Sequence, residues 1–306
     1  MNTKLSVEDY KELWGDLSDP IKKRIAAFDS SVRYLDQKER DAIILNVLNK
    51  IDSPLTTLAG RESKDKWTKG WGENLKEFVD GGYDLKKLVP KYVRPNQVVR
   101  FKGDYAMPAD PEFELHYYDI YRRWLFETYI KGEKTVYEFG CGSGYNVPVL
   151  CEMFPEKEVH GLDWVVPSKD IVDALAKKFG YNAHGHVFDM ATPDTSFKLK
   201  PGSAVVAIGA LEQMGTNFKP FVDYLLSQKP SIFIHVDSML ELYDPKNLSD
   251  FLAIKFDMKR KYLEEYIPYI HQLEKKGVIE IITEKHIPIG SLYHDGYSLA
   301  VWRPKV

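Results

Sequence analysis

The chain has little cysteine: Cys141 and Cys151 are the two thiols in 306 residues. That excludes a disulfide framework and a four-cysteine structural zinc site. Neither thiol has an evident base beside it, so both read as reduced packing residues rather than nucleophiles. Net charge is also small, 42 Lys and Arg against 45 Asp and Glu giving −3. The basic field that nonspecific nucleic-acid binding draws on is therefore missing. No apolar run reaches the length of a membrane span, and the opening MNTKLSVEDYKELWGDL lacks the apolar core of a signal peptide. Repeats and low-complexity tracts are absent too. These absences lead us to expect a cytoplasmic protein whose partners include neither membrane nor nucleic acid.

Aromatic residues, in contrast, are abundant at 13% of the chain, and 44% hydrophobic residues suffice for a normal core. At about 150 residues per domain the length allows one large domain, or a medium domain with a substantial cap. The first 110 residues read as that cap. Ser6 with Asp9 three residues on marks a helix start, and Asp19-Pro20 marks a second. Ile43, Ile44, Val47, Leu48 and Ile51 form a third amphipathic stretch, interrupted at Ser53-Pro54. From Trp67 to Asp110 aromatic rings alternate with charges, glycines and prolines, which predicts a loop-rich layer pinned by its rings, or a lid over a substrate. Exposed helices in the first 60 residues would allow a homodimer.

Residues 111–306 have a different pattern. A helix over 112–131 leads into the strand TVYEF (135–139), and strands then alternate with helices at 158–162, 183–188, 204–208 and 231–236. That rhythm predicts a parallel sheet with helices on both faces. A long helix from about Asn247, kinked at Pro268, follows. Two closing strands, 278–283 and 297–302, are joined too tightly for a crossover helix and must run antiparallel. The expected fold is an α/β, Rossmann-like seven-stranded mixed sheet, with a mainly helical N-terminal cap.

The sharpest motif is Glu138-Phe139-Gly140-Cys141-Gly142-Ser143-Gly144, between a strand and a helix. Glycines there let backbone approach a ligand, and the helix start presents free N–H groups. A dinucleotide fingerprint would read G-x-G-x-x-G and aim at a pyrophosphate. Here the spacing is G-x-G-x-G and a carboxylate lies under the loop. Glu138 would repel a pyrophosphate but suits a ligand carrying an ammonium and a sulfonium, as S-adenosylmethionine does. Asp163 ends the second strand, where it can accept both ribose hydroxyls, and Asp189 ends the third, where it can accept the adenine amine. All of these strand ends open to one edge of a parallel sheet.

EFGCGSG, GLDW and HVFDM, with the closing strand pair, resemble the class I S-adenosylmethionine-dependent methyltransferases over residues 112–306. The resemblance implies that Gly140, Gly142 and Gly144 contact the methionine part, with Asp163 on the ribose and Asp189 on the adenine. Cys141, Trp164 and Met190 belong to the same matching pieces. Gly209, opening the stretch through Gln213, would lie beside the methyl donor. The layout is similar to bacterial O-methyltransferases acting on sugars or small molecules.

Methyl transfer from a sulfonium is an in-line displacement, and a hydroxyl acceptor must also lose a proton to a base or a metal. The candidates at the strand-end edge are Glu212, His235, Asp237 and His294, with His235 or His294 as the base. His235 and Asp237, two apart on a strand, share a face. The spacing of Asp237 and Glu241 does not single out a metal site, and none is assigned. Other readings are an N-methyltransferase acting on a small molecule or protein, a non-catalytic S-adenosylmethionine-binding protein, and a nicotinamide-dependent dehydrogenase. The asparagine-proline signature of base-modifying enzymes is absent after strand four, where GALEQMG stands.

Overall fold

The computed structural model describes residues 2–305. In chain order it contains β1 (Asn2–Lys4), α1 (Val7–Trp14), α2 (Asp19–Ala27), β2 (Ser31–Tyr34), α3 (Gln37–Asp52), α4 (Lys64–Asp80), β3 (Val99–Phe101), β4 (Asp104–Pro108) and α5 (Phe113–Tyr129). The second part runs β5 (Thr135–Phe139), α6 (Val147–Met153), β6 (Glu158–Asp163), α7 (Val166–Phe179), β7 (Ala183–Val187), β8 (Ala204–Ile208), α8 (Lys219–Gln228), β9 (Ile232–Asp237), α9 (Leu248–Arg260), α10 (Tyr266–Lys275), β10 (Ile279–Lys285), β11 (Ile289–Gly290) and β12 (Ser298–Pro304).

The large sheet has the order β10-β12-β9-β8-β5-β6-β7. The five strands from β9 to β7 are parallel, and β12 runs antiparallel to both neighbours. This is the expected doubly wound, Rossmann-like sheet. Strand β5 and most of its neighbours are buried on both faces, which is why they read as apolar runs. Strand order reverses between β5 and β8, which sets a topological switch point above the glycine loop.

Helix starts in the cap follow their sequence signals. Ser6 and Asp9 form a reciprocal capping box on α1, Ser18 caps α2 with Pro20 in its first turn, and Asp36 with Glu39 boxes α3. One expectation for this region is corrected. The Trp67 segment is not loop-rich throughout: α4 spans Lys64–Asp80, because Trp67, Trp71, Asn74 and Phe78 recur at helical spacing. The cap is mainly helical as expected, and it also holds a small antiparallel sheet of order β1-β2-β4-β3-β11 that the sequence did not announce. Its last strand comes from the loop between β10 and β12, pairing Ile289 with Phe101. A second correction concerns the long helix, which is two. Lys261 and Glu265 adopt left-handed backbone between α9 and α10, so Pro268 falls in the first turn of α10 and causes no kink.

Part of the aromatic excess forms a seam between cap and sheet. Phe113, Tyr117 and Tyr121 stack along α5, and Trp14 of α1 stacks on Trp124 at 5.4 Å while donating to the Tyr117 hydroxyl at 3.2 Å. One continuous apolar cluster runs from Tyr10 and Trp14 through Trp124 to Val136 and Ile234. A buried ion cluster adds to it: Arg100 of β3, 1% exposed, meets Asp295 at 2.7 Å and Asp250 at 2.8 Å. Among the described residues no helix is long and apolar enough to cross a membrane.

Candidate methyl-donor and acceptor site

The carboxyl ends of β5, β6, β7 and β8 surround a cavity of about 230 Å³. Gly140 and Gly142, Asp163 and Trp164, Asp189 and Met190, and Gly209 line it from the sheet, and Arg61, Trp67 and Trp71 close it from the cap. The glycines have demanding neighbours. Gly140 has φ +74°, and a Cβ there would stand 2.3 Å from that of Ala210; one on Gly142 would meet the Trp71 ring at 3.0 Å. Only glycine fits both the backbone and the space.

Glu138, 2% exposed, lies beneath this loop. Its Oε1 accepts the Asn146 amide at 2.7 Å, while Oε2 is buried without a partner. Burial raises its carboxyl to about 7. Asp163 accepts the Gly142 N–H at 2.9 Å and the Val165 N–H at 3.2 Å, and burial holds it near 6 despite those bonds. Asp189 accepts the Ala191 N–H and the Thr192 hydroxyl, with Arg61 3.9 Å away. Cys141 is buried and its thiol is raised well above its ordinary value by that burial. It is a packing residue without thiolate character.

The four acceptor-side candidates separate. His235 is fully buried. Its Nε2 meets Asp237 at 2.9 Å, and burial lowers its pKa to about 3. It braces Asp237 within β9 and does not open onto the donor cavity, which corrects its expected role as the base. Asp237 is itself 1% exposed, pushed up to about 8 by burial. Its Oδ2 accepts the N–H groups of Leu211 and Glu212, so it shapes the turn after β8. His294 keeps a partly open position. Its Nδ1 meets Asp257 of α9 at 2.9 Å. Burial opposes the ring's charge, yet the Asp257 carboxylate outweighs it and raises the imidazolium to about 9. Glu212 lies in the same field, pushed up to about 8 by burial and then by Asp237.

Tyr92, one ring of the aromatic segment, and two acids that the sequence reading did not single out, Glu114 and Asp257, stand in the same electrostatic field as Glu212 and His294. Tyr92 is 63% exposed, yet the surrounding protein and the carboxylates of Glu212, Glu114 and Asp237 push its phenol well up. Glu114 accepts the Tyr297 hydroxyl at 3.3 Å. The Tyr118 hydroxyl donates to Asn146, whose amide holds Glu138 beneath the glycine loop. Asp257, Glu114 and Tyr92 belong to no motif and are far apart in sequence. Trp67 and Trp71 were visible in advance as part of the aromatic segment.

Among the described residues, Asp250, His286 and Asp295 bring three ligand atoms together, but the Arg100 guanidinium already occupies that cluster.

No protein-family profile matches the chain, and no curated protein matches it. Among solved structures it is similar to an rRNA methylase from Escherichia coli, with 13% identity, 93% of this chain and 100% of that one covered, and a TM-score of 0.46. It is also similar to magnesium protoporphyrin IX methyltransferase (ChlM) from Synechocystis PCC 6803 with bound SAH (16%; 61% and 81%; 0.44). A third is the O-methyltransferase NcsB1 from neocarzinostatin biosynthesis in complex with S-adenosylmethionine (12%; 64% and 59%; 0.42). All three are methyltransferases, the class the sequence resembles. At such identities and scores these likenesses carry no argument, and the functional reading rests on this chain's own residues.

Proposed function

We propose that the protein is an S-adenosylmethionine-dependent methyltransferase acting on an oxygen of a small molecule or sugar. The observation that carries the reading is the convergence of the glycine loop, Asp163 and Asp189 on one cavity, with the unpartnered Glu138 Oε2 beneath the loop. A buried carboxylate oxygen without a donor suits a ligand that brings an ammonium, and Glu138 would accept it. Asp163 and Asp189 would take the ribose and adenine hydrogens. The bound donor supplies an electrophilic methyl on a sulfonium, which leaves as a neutral thioether.

The chain's own part is to orient the two reactants and remove a proton. As pH rises toward about 9 and His294 gives up one proton, the ring can keep its Nδ1–H on Asp257 and offer the Nε2 lone pair to the acceptor's hydroxyl proton. Asp257 fixes the ring and stabilises the imidazolium that forms. Glu212 and Tyr92 would face the acceptor. The carboxyls of Glu114 and Glu212 also favour a second reading, an amine acceptor and N-methylation.

Calorimetric titration tests the donor assignment. S-adenosylhomocysteine should bind one-to-one and raise the melting temperature, whereas NAD should do neither. Binding of NAD in preference to S-adenosylhomocysteine would reverse the assignment.

A further inference from the structure

A second cavity, larger than the donor site, measures about 530 Å³. Residues 85–95, helix α5 and helix α6 line it, and no residue belongs to both cavities. A concave space of this size, mostly apolar with a few polar groups, is the usual form of a small-molecule site. The apolar part of the lining is Leu85, Val89, Val93, Leu115 and Pro148. The charged part is lopsided: Lys86, Arg94, Arg122 and Arg123 stand against Glu112 and Glu152.

The acids nearby are already shared out. Residues three and four apart lie on one helix face, so Asp119 of α5 serves Arg122 at 2.8 Å and Arg123 at 3.0 Å, with Arg24 of α2 3.7 Å away. Arg122 is structural: it is buried, its plane lies 4.1 Å from the Tyr145 ring, and it also donates to the Tyr145 carbonyl and the Asn146 amide oxygen. Arg123 differs. Its side chain is only 16% exposed, yet Nε alone is hydrogen-bonded, to Asp119. Its two terminal nitrogens make no hydrogen bond among the described residues, and the half-exposed Glu152 stands 3.7 Å from one of them. Arg94, on the facing segment, has a single bond, at 3.5 Å to the Lys91 carbonyl. His116, also on the wall, is taken up by Asp110 at 2.6 Å.

We propose that this cavity is a second ligand site, one that takes an organic anion. A carboxylate or phosphate head would accept two parallel N–H bonds from the Arg123 fork, the geometry for which guanidinium is suited. Arg94 and Lys86 supply further positive charge around it, and an apolar body lies against Leu85, Val93 and Leu115. Asp119 fixes the fork through Nε and leaves its outer edge open. The site depends on no reading of the donor cavity.

The probes are 1-naphthyl phosphate and 2-naphthoate, two anionic heads on one apolar body, titrated by calorimetry into the full chain with and without S-adenosylhomocysteine. We expect one saturable site for at least one of them, undisturbed by S-adenosylhomocysteine, and the tighter probe identifies the head group. The neutral 2-naphthol should bind about tenfold more weakly, and so should the anion in Arg123→Gln and in Arg94→Gln. Arg94 is at the surface, so its replacement should leave the fold intact, and thermal melting checks both variants. Lys91→Gln removes a charge from the same segment, but Lys91 is held by Glu73 and Glu77 and does not line the cavity, so this variant should bind as the wild type does. Absence of a saturable site, displacement by S-adenosylhomocysteine, 2-naphthol binding as tightly as the anions, or unchanged affinity in either folded arginine variant overturns the proposal. So does equal weakening by Lys91→Gln.

Discussion

Two carboxyls and one imidazole have environments that make measurable claims. His294 owes its raised pKa to Asp257, so NMR titration of its ring should give a midpoint near 9. In Asp257→Asn the midpoint should drop by at least 2 units, since burial alone disfavours the imidazolium. An unchanged midpoint would remove Asp257 from the proposed base. Glu138→Gln should weaken S-adenosylhomocysteine binding about tenfold or more, by removing the charge that accepts an ammonium. Wild-type affinity should likewise fall as pH drops below about 7, where Glu138 takes up a proton. The donor residues were legible because glycine spacing and strand-end acids are local patterns. His294 could be named only as a candidate, because Asp257, its partner, lies 37 positions away on another element. His235 misled for the opposite reason: sequence shows that it shares a face with Asp237, not that this face is sealed.

Element boundaries were legible wherever a cap or a period carried them, as at Ser6 and at Asp19-Pro20. Replacing Asp36 by Ala removes the box at the start of α3 and should cost about 1 kcal/mol in a denaturant melt. Pro268 offers a contrasting measurement. In a helix interior proline costs about 3 kcal/mol, so relieving a kink would stabilise the protein strongly. In the first turn of α10 its replacement by Ala should change stability by less than about 0.5 kcal/mol. The break before α10 was hidden because Lys261 and Glu265 are ordinary helix formers that tertiary packing holds at positive φ. The cap sheet was hidden by brevity, its strands being two to five residues long. Strand β11 offers no pattern of its own in two residues.

At the scale of the molecule, buried titratable groups set a pH dependence. The carboxyls of Glu138, Glu212 and Asp237 are raised to about 7, 8 and 8, and the imidazolium of His294 to about 9. Each binds its proton more tightly folded than unfolded, so each contributes stability at low pH that is lost as pH rises through the folded value. His235 and His160 act in the opposite sense, but only below about 6.5, where unfolded histidine protonates. The melting temperature of the ligand-free protein should therefore fall steadily between pH 6.5 and 9. A flat or rising profile would contradict the buried acid cluster. Arg100→Leu leaves Asp250 and Asp295 buried without their cation and should destabilise by about 3–5 kcal/mol, read from the denaturant midpoint.

The strand that β11 lends to the cap bears on how the chain is made. During synthesis the four N-terminal cap strands emerge long before residues 289–290, and until those arrive β3 presents an unpaired edge. Arg100, on that same strand, waits equally long for Asp250 and Asp295. A ribosome-bound intermediate stalled after β9 should thus carry an open, protease-sensitive cap, which locks only when the closing hairpin is threaded against it.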